Sequence, residues 1–357
     1  MDEFRISAGK MRGLQRLADE RGRFRMLAID QRGSLERMLQ TSIERAVQYD
    51  DLAAIKRIIV KTLAPYSSAV LIDPVYGYPG AIKYFPKKVG LLIASEETGA
   101  EQTGATSKER KSHLIEGWNV LKTRRMGADA VKLLVYYRAD VSPQVLQHQQ
   151  ALVRQVGKEC ENYDIPFVLE VVSYPFRKDE EKDTPDYAKR KPEMVFDAVR
   201  EFSKEEYKVD LLKVEFPADL KYCREFADGE FDAKRRESVY SLSEVNDFCR
   251  RVDELSRVPW VVLSAGVDIR EFIENVAIAT KNGASGFLCG RAIWKGCVQF
   301  YPDLEAIEQW LLTTGVDNFL KLYSASAAAV PYFMTKQFAS YPQMKLVNQG
   351  ENWYKNY

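Results

Sequence analysis

The stretch "VDLLKVEFPAD", residues 209–219, places Lys213 in the middle of a run that otherwise reads as a buried strand. Leu211, Leu212, Val214 and Phe216 surround the lysine, and Pro217 closes the run. Lysine is almost never fully buried unless it is paired or used. Side chains alternate along a strand, so Lys213 and Glu215 share one face. What that face lines depends on how many other strands the chain supplies.

Working outward, eight short β-rich runs end in Gly, Pro, Asp or Ser. They are "MLAID" (26–30), "AVLID" (69–73), "GLLIAS" (90–95), "AVKLLVYY" (130–137), "FVLEVVSY" (167–174), "LLKVEF" (211–216), "WVVLSAG" (260–266) and "GFLCG" (286–290). Most are near-continuously apolar, as parallel strands covered on both faces should be. Between them lie segments with helical periodicity: 51–66, 112–127, 143–160, 192–203, 241–255 and 268–283. Eight β-then-α units without a composition break predict an α/β chain folded as a (β/α)₈ barrel. A doubly wound open sheet is the alternative, and the count of eight argues against it. The barrel is expected over 1–300, with an extra N-terminal helix. A C-terminal helical extension over 301–357 is expected to pack on the barrel or on a neighbouring subunit. The charged stretches 176–191 and 220–237 follow strands five and six; each reads equally as a solvated loop or as a substrate lid.

Composition narrows the function classes. The 357 residues are 46% hydrophobic and 29% charged, and 52 Lys+Arg against 51 Asp+Glu leave a net charge of +1. Nothing in that balance points to nucleic acid or an anionic membrane as a partner. No apolar run reaches the ~18 residues of a membrane span, and "MDEFRISAGKMRGL" has no apolar secretory core. Five scattered cysteines without a CxxC pair favour reduced thiols in a cytoplasm. With His113 and His148 the only histidines, a histidine-rich metal centre is excluded. A cytoplasmic homo-oligomer acting on a small molecule, without metal or other cofactor, is the expectation.

Charge inside the strands is the informative departure. Asp30 follows "MLAI", Lys132 lies in "AVKLLV", Glu170 in "FVLEVV", and Lys213 with Glu215 in "LLKVEF". Any one of these reads equally as half of a buried ion pair. Five on four strands are hard to explain as stability, because a buried ion pair often contributes little net. Inward-pointing charge at the catalytic end of a barrel is the expected form of an active site. A lysine beside a second cation in a low-dielectric pocket is the amine most readily made neutral. Such an amine attacks a ketone and forms a Schiff base, an electron sink next to a carbon–carbon bond. Lys213 is the candidate nucleophile, Lys132 its electrostatic partner and Glu170 the leading acid/base. The turns "LSAGVD" (263–268) and "LCGRAIW" (288–294) each put small residues directly before a helix, where barrels commonly hold phosphate. Arg291 would add a charged fork there.

These residues resemble the class I tagatose-1,6-bisphosphate aldolases of the deoxyribose-phosphate aldolase-like superfamily. The resemblance runs from about Leu27 to about Gly296. It rests on "AIDQRGSL" (28–35), "LIDPVYG" (71–77), "GLLIASEETG" (90–99), "GADAVKLLVYY" (127–137), "FVLE" (167–170), "VDLLKVEFP" (209–217), "LSAGV" (263–267) and "FLCGRAIWKG" (287–296). It implies Lys213 as the imine-forming lysine and Glu170 as the acid/base. Lys132, Asp30, Gln31 and Arg32 would line the substrate, and Ser264, Gly266, Leu288, Gly290 and Arg291 would surround a phosphate. The implied reaction is metal-free cleavage of a ketohexose 1,6-bisphosphate to dihydroxyacetone phosphate and glyceraldehyde 3-phosphate. A related branch cleaves a ketose phosphate with a sulfonate at carbon six by the same lysine chemistry. Two other classes compete: a non-catalytic sugar-phosphate sensor, which has no need of Lys213, Lys132 and Glu170 together, and an enediolate lyase or epimerase, which wants a metal or histidine.

Overall fold

All eight β-rich runs are strands: β1 (Phe24–Ile29), β2 (Ala69–Ile72), β3 (Gly90–Ala94), β4 (Ala130–Tyr136), β5 (Phe167–Val172), β6 (Leu211–Glu215), β7 (Trp260–Leu263) and β8 (Gly286–Cys289). The computed structural model describes residues 5–103, 108–338, 345–347 and 350–355. The strands pair in parallel and in chain order, and β8 closes on β1, so the sheet is a barrel and not an open doubly wound sheet.

Alternation along the strands divides the core in two. Ala28 of β1, Leu71 of β2, Leu92 of β3, Val168 of β5, Leu211 of β6 and Leu288 of β8 pack with one another inside the barrel. Leu27, Ile29, Leu169, Leu212 and Val262 pack outward beneath the helices. The period of two then fixes where the polar residues go. Asp30 has the parity of Ala28, Lys132 that of Ala130, Glu170 that of Val168, and Lys213 and Glu215 that of Leu211. All five therefore point into the barrel, with Asp30 just beyond β1, Glu215 at the end of β6 and Lys132 nearer the start of β4. The N-terminal helix Ala8–Leu17 closes the opposite mouth, with Leu14 and Leu17 joining the interior cluster.

The helices differ from the sequence expectation in two places that shape the site. Only Val120–Arg125 of the segment 112–127 is helical, and before it Glu101–Thr103 pairs with Glu109–Lys111 as an antiparallel hairpin. The helix expected from Pro192 begins seven residues earlier, at Pro185, because Thr184 caps it by accepting from the Tyr187 amide at 3.3 Å. Pro192 sits buried inside that helix. Half of the charged stretch 176–191 is thus an ordered helix start.

In the C-terminal extension, helices Leu304–Trp310 and Val316–Ala325 lie between the helices Tyr49–Leu63 and Ile269–Lys281, the place of the eighth barrel helix. Asn318 donates to the Ile293 carbonyl at 3.0 Å, and Phe319 meets Phe287 of β8 edge-on at 5.8 Å. The segment directly after β8, Arg291–Trp294, is a single turn, too short to cover the barrel alone. No helix among the described residues is long and apolar enough to cross a membrane.

Candidate active site

A cavity of ≈ 250 Å³ opens at the C-terminal end of the strands. Glu170, Lys213 and Glu215 form its floor, Ser264 to Gly266 and Leu288 to Arg291 one wall, and Arg110, Tyr136 and Lys182 the wall across from it. Lys213 Nζ donates to Glu170 Oε2 at 2.9 Å, and Lys132 Nζ lies 2.8 Å from the same oxygen. Register explains the first contact, since Glu170 and Lys213 are Cα partners across β5 and β6.

Lys132 is fully buried and lies behind Glu170. Its ammonium also meets Asp30 Oδ2 at 2.8 Å and Glu96 Oε1 at 2.6 Å. Burial alone would lower its pKa, but Asp30, Glu170 and Glu96 outweigh that and hold it well above the ordinary lysine value. It is a fixed cation. Burial pushes the Glu170 pKa up, and Lys132 with Lys213 more than reverse this, so Glu170 is held below its usual range and ionised. The same balance, led by Lys132 and then Lys213, keeps Asp30 ionised. Three carboxylates surround one ammonium, which takes the position a bound cation would need. Among the described residues no His/Cys/Asp/Glu group is arranged to hold a metal ion.

Glu215 is held from the side. Its Oε2 accepts from both the amide and the hydroxyl of Ser173, each at 2.6 Å. The wall after β7 and β8 is built largely from backbone turns. Ala265 and Gly266 both have positive φ, +48° and +81°, which turns the chain after β7 sharply. A Cβ on Gly266 would sit 3.2 Å from Arg291 Nη2, so the glycine lets the guanidinium lie flat on the turn. A Cβ on Gly290 would meet the Ala28 carbonyl at 2.7 Å and Gln31 Nε2 at 2.8 Å. Glycine there lets the β8 turn close against β1.

Of the residues named from sequence, Glu170, Lys213, Gln31, Ser264, Gly266, Leu288, Gly290 and Arg291 line the cavity. Lys132 lies behind it bonded to Glu170, and Asp30 is bonded to Lys132 in turn. Arg32 is buried and bonds the Glu96 carbonyl, away from the cavity wall. Glu96, Arg110, Tyr136 and Lys182 were not foreseen. Glu96 carried a signal, because it follows strand three much as Asp30 follows strand one. Arg110 carried none, since it lies just before the segment 112–127 that reads as helix and reaches the cavity through a hairpin.

The charged loops resolve into paired charge. Glu180 and Asp140 share Arg138, Arg177 and Arg190 between them. Burial would raise the Glu180 carboxyl, but bonds from Arg138 and the Phe176 amide hold it at about 2. Asp183 of the loop after β5 accepts from Tyr222 and Arg236 of the loop after β6, clamping the two loops together.

A family model described as DeoC/LacD family aldolase matches residues 24–296. A tagatose 1,6-diphosphate aldolase of Streptococcus pneumoniae R6 is 39% identical over 316 residues, 87% of this chain and 92% of its own. One from Listeria monocytogenes serotype 4a is 36% identical over 349 residues, 96% of this chain and 99% of its own, and so extends through the C-terminal helices. Among solved structures, fructose-bisphosphate aldolase from Plasmodium falciparum matches with a TM-score of 0.61 at 13% identity, covering 91% of this chain and 98% of that one. An archaeal fructose 1,6-bisphosphate aldolase gives 0.51 at 17%, covering 85% and 98%. At such identities these two likenesses concern the barrel alone.

Proposed function

The chain is an aldolase of the DeoC/LacD family, and we propose that it cleaves tagatose 1,6-bisphosphate through an imine on Lys213. The observation that carries the mechanism is one carboxylate oxygen, Glu170 Oε2, shared by two buried ammonium groups at 2.8 and 2.9 Å. One of them, Lys132, is fixed as a cation by three carboxylates. The other lines the cavity and is bonded only to Glu170 among the described residues. Glu170 takes a proton from Lys213, and the amine attacks the C2 carbonyl. The carbinolamine hydroxyl leaves as water with the proton Glu170 returns, giving the iminium. Glu170, a carboxylate again, takes the C4 hydroxyl proton as the C3–C4 bond breaks. The electron pair of that bond passes to the iminium, forming the enamine as the aldehyde departs. Glu170 returns the proton to C3 of the enamine, and hydrolysis of the imine releases the triose phosphate and restores Lys213. A non-catalytic sensor would leave this cluster without a purpose.

The relatives' names support tagatose 1,6-bisphosphate as the substrate, and the turns after β7 and β8 with Arg291 support a phosphate site there. We assign the dihydroxyacetone phosphate half to the turn Ser264–Gly266 with Arg291. Arg291→Ala should then weaken cleavage and imine trapping by dihydroxyacetone phosphate about 10–150-fold, the cost of one charge-assisted hydrogen bond. Trapping by unphosphorylated dihydroxyacetone should change far less. Equal losses with both trioses would move the phosphate elsewhere. The substrate itself is tested by product release from tagatose 1,6-bisphosphate, fructose 1,6-bisphosphate and the 1-phosphate of 6-sulfofructose. Turnover of the sulfonate alone would replace tagatose bisphosphate as the substrate. The five cysteines are free and buried, which supports a reducing cytoplasm as the site of action.

A further inference from the structure

Of the five charged residues inside the barrel, the cleavage accounts for four. Lys213 forms the imine, Glu170 moves the protons, and Lys132 with Asp30 stands behind Glu170. Glu215 is the one left over. It is only 4% exposed, yet it lines the cavity. Its Cα partner across β6 and β7 is Leu263, whereas Lys213 is paired with Val261. Two residues along a strand advance the same face by about 6.6 Å. Glu215 therefore stands one inward layer nearer the barrel mouth than Lys213.

The carboxylate is oriented. Ser173, just beyond β5, donates to it from both its amide and its hydroxyl, each at 2.6 Å, and both bonds fall on Oε2. The Ser173 hydroxyl lies 3.3 Å from the Tyr187 hydroxyl, which fixes its rotation. Oε1 takes part in neither bond. Glu170 holds two ammonium groups, but no lysine or arginine pairs with Glu215 among the described residues. An ionised carboxylate only accepts, and a buried one needs donors. A sugar phosphate offers it two kinds of group: phosphates, which repel it, and hydroxyls, which donate to it. Which hydroxyl follows from the layers. With C2 on Lys213, C3 stays beside Glu170, and C4 gives its hydroxyl proton to Glu170. C5 is the first carbon to reach the next layer, where Glu215 stands.

We propose that Glu215 accepts a hydrogen bond from the C5 hydroxyl, so that the site recognises the aldehyde fragment by its 2-hydroxyl group. This rests on the imine reading of Lys213, which fixes where C2 lies. The test runs the reaction in the condensing direction, with dihydroxyacetone phosphate as donor. The acceptors are glyceraldehyde 3-phosphate and 3-oxopropyl phosphate, which has the same chain and phosphate but lacks the hydroxyl. Glu215→Ala should lower kcat/KM for glyceraldehyde 3-phosphate about 10–150-fold, the range for a hydrogen bond to a charged group, and that for 3-oxopropyl phosphate far less. Glu215→Gln is nearly isosteric and keeps a neutral acceptor, so it should shift the same ratio in the same direction by about 5–10-fold. Each ratio is taken within one protein preparation, so a partly unfolded fraction cancels. Equal losses with both acceptors, or an unchanged ratio in both variants, overturns the proposal. Borohydride trapping of dihydroxyacetone phosphate on the wild type keeps the two readings separate, because that triose has no C5. If trapping succeeds and the acceptor ratio does not move, only the role of Glu215 falls. If trapping fails, the imine reading falls first and this proposal with it.

Discussion

Lys213→Met should reduce turnover by on the order of 10⁴–10⁶-fold, the scale of removing a covalent nucleophile from a group of residues that act together. The variant should still fold. Methionine keeps most of the side-chain length, and Glu170 is not left as an uncompensated buried charge, because Lys132 remains 2.8 Å from the same oxygen. A thermal midpoint close to wild type, measured beside the lost turnover, separates chemistry from collapse. Lys213→Arg sharpens the comparison. It keeps a cation on Glu170 but offers no amine that can condense with a ketone, so its turnover should be equally lost. Substantial activity in either variant would mean that Lys213 is a structural counter-ion.

Glu170→Gln should lower turnover about 10²–10⁴-fold, the usual contribution of a positioned acid/base. The replacement is nearly isosteric. Lys132 keeps Asp30 and Glu96 as partners at 2.8 and 2.6 Å, so the buried cation stays compensated. What is lost is a proton carrier bonded to Lys213. The effect should fall on kcat and leave KM nearly unchanged, because no ground-state contact to the phosphates is removed. Steady-state kinetics with the bisphosphate separates the two constants. Near-normal kcat would transfer the role to Glu215, which lines the same cavity floor and is held by Ser173.

The barrel was legible because burial on both faces leaves a strand little choice of residues. The runs around Val70, Leu92, Val168 and Leu288 could be counted without knowing their partners. The same parity that buries Leu211 and Val168 put Lys213 and Glu170 inside. Other parts depend on neighbours that no local pattern displays. Glu96 matters because Lys132 reaches it across β3 and β4, a contact 36 residues apart in the chain. Arg110 faces the cavity because a hairpin, which no sequence pattern marked, fills the start of the β3–β4 connection ahead of the segment expected as helix. The loop 176–191 read as solvated charge or lid. Glu180 of that loop is held by Arg138, an arginine just beyond β4 whose burial its own segment does not announce, while Lys182 stays exposed at the cavity.

The most direct measurement of the account is borohydride reduction in the presence of dihydroxyacetone phosphate, followed by peptide mapping of the trapped protein. One stable adduct is predicted, on the peptide that contains Lys213, with none in Lys213→Met and undiminished labelling after chelator treatment. An adduct on Lys132, or no adduct while cleavage proceeds at its normal rate, would contradict it.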